Sequence, residues 1–192
     1  MTPQEITDQV FKLYELHGDD DYIGEPVSQL EHMTQAAGLA MSEGYDDEVV
    51  LAAFFHDIGH LCAVSGEAAS MDGLGNVDHE CLGANYLLQL GFSPRVAFLV
   101  KSHVMAKRYL TFSNPDYYSK LSPASKATLE FQGGMMSAEE AEAFEANPDK
   151  DLVIRFRYWD DEAKLTEVPV TNIAQLKEMA VAHLTSRLGN NN

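Results

Sequence analysis

Apolar residues recur along most of this chain at the three- to four-residue spacing of amphipathic helices. In residues 3–17 this spacing places Ile6, Val10 and Leu13 on one face, and Gly18 follows as a helix end. The same spacing, with Ser, Asp or Pro at several of the starts, predicts further helices. These are residues 27–43, 47–56, 79–90, 94–109, 137–146, 151–159 and 172–188.

The segments between these helices predict loops rather than strands. The best short strand candidate, Val168-Pro-Val170, is weakened by its proline, which cannot donate to a strand ladder. Residues 62–77 are rich in Ala, Ser and Gly, and residues 110–122 contain Asn-Pro and Ser-Pro turn signals. Because no repeat or linker interrupts the pattern, we predict one all-α domain over residues 1–192.

The composition is that of a globular protein with an acidic surface. Hydrophobic residues make up 45% of the 192 residues, and the formal net charge is -17. This charge argues against nucleic acid and anionic membranes as partners, because both require basic patches. Cys62 and Cys81 lack a CxxC pattern, and no transmembrane run or secretory signal is recognisable. We therefore expect a cytoplasmic protein with free thiols and no obligate protein partner.

One apolar helix ends in ionisable residues. The stretch Leu51-Ala-Ala-Phe-Phe55 is apolar enough to be buried on all sides, yet it runs directly into His56-Asp57 and then His60. Adjacent side chains on a helix point about 100° apart, so His56 and Asp57 can share one site only at the end of the helix. This arrangement suggests a buried site at that end.

Five of the seven histidines lie on apolar helices or at their ends. They are His32, His56, His60, His79 and His103, whereas His17 and His183 are interpreted as ordinary core or surface residues. Burying several imidazoles without partners is costly, and a shared metal site would satisfy them together. Imidazole and carboxylate ligands suit iron, manganese or zinc.

The order of these residues resembles the ligand order of the HD-domain superfamily, which is all-helical. The matching residues are His32, His56, Asp57, His79, His103 and Asp160. The resemblance implies two metal ions bridged by Asp57, with His32, His56 and Asp160 on one and His79 and His103 on the other. Asp161 adjoins Asp160, and the assignment of Asp160 depends on its place directly after the aromatic pair Tyr158-Trp159.

The motif Tyr22-Ile-Gly-Glu25-Pro26, followed by Gln29-Leu-Glu-His32, is similar to that of the hydroxyphosphonate dioxygenases of this superfamily. The resemblance implies a mixed-valent Fe(II)/Fe(III) pair with O2 as cosubstrate. It makes Tyr22 a gate that occupies an iron position until substrate displaces it, and Glu25 its partner. The implied reaction cleaves the C–P bond of 1-hydroxy-2-(trimethylammonio or amino)ethylphosphonate, and it releases phosphate with glycine betaine or glycine.

Three cationic or imidazole side chains lie at helical spacing from proposed ligands. His60 is four residues after His56, Lys107 is four after His103, and Arg157 is three before Asp160. Each would share a helix face with its ligand and could hold a phosphonate dianion. The same positions bind phosphonate in the resembling family, and Ser125 matches a further one.

The sequence leaves two questions open. A metal-dependent phosphohydrolase is the alternative function, because some two-metal hydrolases of the superfamily use a comparable number of ligands. The substituent on the substrate nitrogen is also undecided. We slightly prefer the trimethylated compound, although no residue decides between it and the free amine.

Overall fold

A computed structural model describes residues 1–22, 24–62 and 78–189, and these residues are almost entirely helical. They form eleven α-helices. The helices are α1 (Pro3–His17), α2 (Gln29–Ser42), α3 (Asp47–Phe55), α4 (Ile58–Cys62), α5 (His79–Gln89), α6 (Pro94–Ser113), α7 (Pro115–Lys120), α8 (Pro123–Phe131), α9 (Ala138–Glu145), α10 (Lys150–Glu162) and α11 (Ile173–Gly189). Within these ranges there is no strand, only an isolated bridge between Asp21 and Ser28. The all-α prediction is confirmed.

Helix α3 lies at the centre of the core. Asp46 caps it by accepting a hydrogen bond from the Val49 backbone N–H, and every residue from Val49 to Phe55 is buried. A helix that is apolar all round must be covered on all sides, and α1, α2, α6, α10 and α11 pack around it. The chain leaves α3 inside the protein, so the residues that follow are buried as well.

Two glycines let the next segments approach each other closely. An added Cβ at Gly59 would lie 1.9 Å from the carbonyl oxygen of His79, and one at Gly83 would lie 3.0 Å from a side-chain carbon of Ile58. A side chain at Gly59 would therefore push α4 and α5 apart. Gly59 thus fixes the approach of His79 to the turn that follows α3.

The helix predictions are correct in position, but the loop prediction for residues 110–122 is wrong. Helix α6 continues to Ser113, and α7 occupies residues 115–120 of this segment. The prolines at the starts of α7 and α8 stand at the first helical position, where no backbone donor is needed, with Asn114 and Ser122 as caps. They begin helices here rather than marking a loop.

Other predictions have mixed outcomes. Helix α4 was not predicted, and Val168-Pro-Val170 is not a strand. The loop predicted for residues 62–77 lies outside the described residues, apart from Cys62 at the end of α4. Within the described ranges, neither Cys62 nor Cys81 forms a disulfide. In the described ranges, no helix combines the length and apolar character that crossing a bilayer requires. The organisation of residues 1–192 as one domain stays a prediction.

Candidate metal centre and anion pocket

Six ionisable side chains converge in the interior, and each is at most 3% exposed. His32 comes from α2, and His56 and Asp57 come from the turn after α3. The others are His79 at the start of α5, His103 on α6 and Asp160 on α10. Burial of this many polar groups is very costly unless they compensate one another or bind a cation.

Two of the imidazoles face each other through nitrogen atoms that carry lone pairs. His32 and His56 donate their Nδ1 protons to the carbonyl oxygens of Ala163 and Ala53, each at 2.8 Å. Since a carbonyl can only accept, Nε2 of each neutral ring is unprotonated. The two Nε2 atoms nevertheless lie 3.0 Å apart. A cation between them would turn this repulsion into attraction.

A second imidazole pair repeats the arrangement. The Nε2 atoms of His79 and His103 also lie 3.0 Å apart. Nδ1 of His103 donates to the carbonyl oxygen of Val100 at 2.7 Å. His32 and His56 of the first pair likewise donate to backbone carbonyl oxygens. His60 stands beside this pair, and together with Asp57 and His79 it offers three ligand atoms within 4.8 Å of one another.

Asp57 lies between the two imidazole pairs. Its Oδ2 is 3.4 Å from Nε2 of His56 and 3.7 Å from Nε2 of His32. Its Oδ1 is 3.2 Å from Nε2 of His79 and 3.4 Å from Nε2 of His103. Burial raises the pKa of Asp57, but the surrounding imidazoles outweigh it and hold this pKa well below its usual range. Each oxygen of the ionised Asp57 carboxylate thus faces one of the two imidazole pairs.

Asp160 has a buried oxygen that accepts no hydrogen bond from any described residue. This atom, Oδ1, lies 3.5 Å from Nε2 of His32, whereas Oδ2 accepts a 2.6 Å hydrogen bond from Arg157. The adjacent Asp161 points elsewhere, because it is paired with Arg157 and accepts a 2.6 Å hydrogen bond from the hydroxyl of Tyr117. The helical turn of α10 therefore directs only Asp160 towards the imidazoles.

The donor set fits a pair of metal ions. Burial lowers the pKa of His56 to about 4, which keeps its imidazole in the neutral form that binds metals. Three features require positive charge at this place. They are the facing lone pairs of the imidazoles, the carboxylate of Asp57 between two imidazole pairs, and the buried oxygen of Asp160 that accepts no hydrogen bond from the described residues. Nitrogen and oxygen donors of this kind suit iron, manganese or zinc.

The four predicted anion-binding residues lie around this centre or on helices that adjoin it. Lys107 is 2% exposed, and its Nζ donates to Oγ1 of Thr128 and Oε1 of Gln132, both at 2.8 Å. Burial, followed by the charge of Arg157, lowers the pKa of Lys107 to about 7. Such a buried cation has little solvation to lose and would hold an anion strongly.

Arg157 is fixed by carboxylates on its own helix. It is ion-paired with Asp160 and Asp161, and its Nε donates to the hydroxyl of Tyr117 at 3.0 Å. These contacts leave a guanidinium N–H on each Nη atom for another acceptor. The side chain is therefore held in one orientation before any anion arrives.

His60 and Ser125 complete the predicted set. The ring of His60 stacks on that of His79 with centroids 4.0 Å apart, and burial lowers the pKa of His60 to about 3. Ser125 is buried in the first turn of α8, where its backbone N–H donates to Oγ of Ser122 at 3.1 Å. His60 therefore lies beside the imidazole cluster, whereas Ser125 lies one helical turn from Thr128, which accepts a hydrogen bond from Lys107.

Tyr22 reaches the centre from the segment between α1 and α2. Its ring stacks on the imidazole of His32, with centroids 4.0 Å apart and planes 13° from parallel. Burial, followed by the negative charges of Asp57 and Asp160, raises the pKa of Tyr22 well above its usual value. The hydroxyl therefore lies within electrostatic reach of both carboxylates. Tyr22 thus contacts residues of the proposed metal centre directly.

Glu25 is held by two side chains from distant parts of the chain. Its Oε1 accepts a 2.5 Å hydrogen bond from Oγ of Ser122 and a 2.7 Å one from Nζ of Lys164. Lys164 also lies over the ring of Tyr22, with Nζ 5.8 Å from the centroid. The two residues of the sequence motif are therefore joined through Lys164.

Comparison with known proteins identifies the family. The chain is 36% identical over 184 residues to the [1-hydroxy-2-(trimethylamino)ethyl]phosphonate dioxygenase (glycine-betaine-forming) of Leisingera caerulea, covering 96% of this chain and 93% of that protein. It is 37% identical over 174 residues to the hydroxymethylphosphonate dioxygenase of Gimesia maris, covering 91% and 86%. The chain belongs to the hydroxyphosphonate dioxygenase family.

A third relative carries no activity in its name. This is the uncharacterized protein L432 of Acanthamoeba polyphaga mimivirus, which is 39% identical over 181 residues, covering 94% of this chain and 83% of the relative. No protein-family profile matches the chain. The two named dioxygenases differ in the substituent that their substrates carry, so family membership alone leaves this feature undecided.

Sequence reasoning missed three residues that contact the predicted site residues. Thr128 on α8 and Gln132 directly after α8 accept hydrogen bonds from Lys107, and α8 was not predicted. The Ser122-Pro123 pair could have revealed it, because Ser93-Pro94 is the same signal and was interpreted as a helix start. No local sequence pattern identifies Lys164, because its partner Glu25 is 139 residues away.

Proposed function

We propose that this protein is an iron-dependent dioxygenase that cleaves the C–P bond of a small 1-hydroxyphosphonate. One molecule of O2 is consumed, and phosphate and a carboxylic acid are released. The observation that carries this proposal is the pair of facing imidazole nitrogens on each side of Asp57, in a chain that belongs to the hydroxyphosphonate dioxygenase family. Such a centre holds two metal ions, as expected for an HD-type domain.

The metal ligands divide into two sets that share Asp57. His32, His56 and Asp160 hold one ion, and His79 and His103 hold the other. A mixed-valent Fe(II)/Fe(III) pair at these positions would activate O2, and O2 accepts the four electrons that the substrate loses. The hydrogen bonds from Nδ1 of His32, His56 and His103 to backbone carbonyls keep the Nε2 lone pairs directed at the centre.

The anion pocket orients the substrate. Lys107 and Arg157 supply the positive charge, and His60 and Ser125 add donors, so the phosphonate dianion is bound by charge-assisted hydrogen bonds. Asp161 and Tyr117 hold the guanidinium of Arg157, which reduces the side-chain entropy lost on binding. With its phosphonate fixed, the substrate presents the C–P bond and the C1 hydroxyl to the metal centre.

Tyr22 and Glu25 control access. The stacking of Tyr22 on His32 and the effect of Asp57 and Asp160 on its pKa support a hydroxyl close to the centre, where we expect it to cover the centre in the absence of substrate. Arrival of the hydroxyphosphonate displaces Tyr22, and the movement of Glu25 follows because both lie on the same short segment. Oxygen chemistry is thereby confined to the substrate complex.

The test is oxygen uptake together with phosphate release by protein loaded with Fe(II). The substrates are hydroxymethylphosphonate, 1-hydroxy-2-aminoethylphosphonate and its trimethylammonio counterpart, with a phosphate monoester in parallel. We expect one O2 consumed for each phosphate released from at least one hydroxyphosphonate, and no release without oxygen. Phosphate released from the monoester under anaerobic conditions would contradict the proposal and favour the phosphohydrolase alternative.

A further inference from the structure

The segment between α1 and α2 carries Tyr22 and Glu25 and is short. Its backbone is closed by hydrogen bonds from Tyr22 N to Val27 O at 3.0 Å and from Glu25 N to Tyr22 O at 2.9 Å. We call the described residues 18–22 and 24–28 of this segment the gate loop. Its tight turn makes Tyr22 and Glu25 move together, so a side chain that restrains one of them restrains both.

Lys164 is a cation in contact with both of these residues. Its Nζ donates to Oε1 of Glu25 at 2.7 Å and lies 5.8 Å from the centroid of the Tyr22 ring. The side chains of Lys164 and Glu25 are only 15% and 9% exposed, so their ion pair is poorly screened by water. Cation–π contact with Tyr22 adds to the restraint.

The backbone of Lys164 is attached to the wall of the metal centre. Its N–H donates to the carbonyl oxygen of Glu162 at 2.9 Å, and the preceding residue, Ala163, accepts the Nδ1 proton of His32 at 2.8 Å. Lys164 therefore connects a fixed part of the site to the gate loop. A charged side chain in this position is suited to hold the loop closed and to release it when another cation competes for Glu25.

We propose that Lys164 is a positioning residue that latches the gate loop over the metal centre. This inference rests on the proposed function of Tyr22 and Glu25. A hydroxyphosphonate with a cationic nitrogen replaces Lys164 as the partner of Glu25 and so releases the latch by exchange of ion pairs. A hydroxyphosphonate without a cationic group offers Glu25 no new partner, so it has to displace Tyr22 against the full strength of this ion pair.

The first experiment needs no turnover and uses the full-length, iron-loaded protein without substrate. Hydrogen–deuterium exchange is measured for peptides that cover Tyr22 and Glu25 in wild type, Lys164→Met and Lys164→Arg. We expect Lys164→Met to accelerate exchange roughly tenfold or more, because a charge-assisted contact is lost, and Lys164→Arg to keep most of the protection. Unchanged exchange in Lys164→Met would overturn the latch.

Lys177 offers a matched control. It makes the same kinds of contact with residues outside the gate loop, with Nζ 3.3 Å from Oε1 of Glu15 and 5.4 Å from the centroid of the Phe11 ring. Lys177→Met should leave exchange in the gate loop unchanged. Glu25→Gln should loosen the loop as Lys164→Met does, and the double variant should exchange no faster than either. Additive effects of the two substitutions on exchange would contradict a shared ion pair. If Lys164→Met folds poorly, Glu25→Gln still tests the same contact.

The second experiment separates a latch from a merely structural lysine. In Lys164→Met, we expect KM for the trimethylammonio substrate to fall several-fold relative to KM for hydroxymethylphosphonate, because Glu25 no longer has a competing partner. An equal change for both substrates would overturn the exchange of ion pairs. If wild type turns over no hydroxyphosphonate, the proposed function fails, while the exchange measurements still decide whether Lys164 restrains the loop.

Discussion

The metal centre and the gate loop are adjacent, but they are held in place in different ways. Three of the imidazoles in the centre, those of His32, His56 and His103, are oriented by backbone carbonyls of helical segments or their ends. In the gate loop, the contacts that restrain Tyr22 and Glu25 join side chain to side chain. The centre is therefore fixed by the fold, whereas the gate can rearrange without unfolding a helix.

The physical reason lies in the cost of moving each partner. A carbonyl in a packed helix can shift only if the helix shifts, and that disturbs close-packed neighbours such as the apolar residues of α3. A lysine or glutamate side chain can change rotamer at a cost of about 1 kcal/mol once its contact is exchanged for another. In the proposed function, the rigid region would hold the metal ions and the adjustable region would act as a displaceable cover.

The strongest test of the rigid centre is Asp57→Ala. Because each carboxylate oxygen faces its own imidazole pair, we expect this change to remove both metal ions or nearly so. Metal content per chain, measured by mass spectrometry, checks this against Asp151→Ala, which removes an exposed carboxylate from α10. Two irons retained in Asp57→Ala would end the bridging assignment.

A smaller loss is expected from His103→Ala. This residue belongs to one imidazole pair only, so the protein should keep about one ion per chain while the other site weakens roughly 10- to 100-fold. Metal titration of the purified protein measures the difference. His183→Ala is the control, because this histidine packs on Phe92 outside the cluster and should leave both ions in place.

Lys107→Ala tests whether the anion pocket binds the phosphonate through the charge of this buried, fixed lysine. Loss of a charge-assisted contact to the phosphonate should raise KM roughly 10- to 100-fold, equivalent to about 1.5–3 kcal/mol, with a smaller effect on kcat. Steady-state kinetics beside Lys101→Ala, an exposed lysine of the same helix, provide the measurement. An unchanged KM would show that Lys107 is only structural.

The same lysine predicts a dependence on pH. A pKa of about 7 means that Lys107 is protonated below this value and loses its charge as pH rises through it. Phosphonate binding should therefore weaken on the alkaline side, and kcat/KM should fall by up to about tenfold per pH unit. In Lys107→Arg the guanidinium stays charged, so this alkaline decline should disappear. A decline that persists in Lys107→Arg must come from another group.

The smallest expected effect concerns the adjustable gate. Tyr22→Phe removes the hydroxyl, whose pKa is raised by burial and by the nearby charges of Asp57 and Asp160, but keeps the ring that stacks on His32. We expect both irons and some turnover to remain, while oxygen is consumed without substrate a few-fold faster than by wild type, because the centre is less well covered. An oxygen electrode trace with and without hydroxyphosphonate shows this, and equal traces for both proteins would remove Tyr22 as the gate.

The sequence by itself determined most of the helices and the identity of the ionisable residues that meet. Apolar spacing and capping residues are local signals, which is why α1 begins at Pro3 and ends at His17 as predicted. The unusual run of His56 and Asp57 after an apolar helix also indicated a buried site, because such residues are costly to bury without a shared partner.

Only the tertiary structure decided how these residues are oriented and what surrounds them. The choice between Asp160 and Asp161 follows from the rotation of α10 against α2, and the tautomer of His32 follows from a carbonyl 131 residues away. The contacts of Lys164 with Glu25 and of Lys107 with α8 likewise join segments that are distant in the chain. Local spacing fixes which face a side chain occupies, but contacts between distant segments depend on how the helices pack.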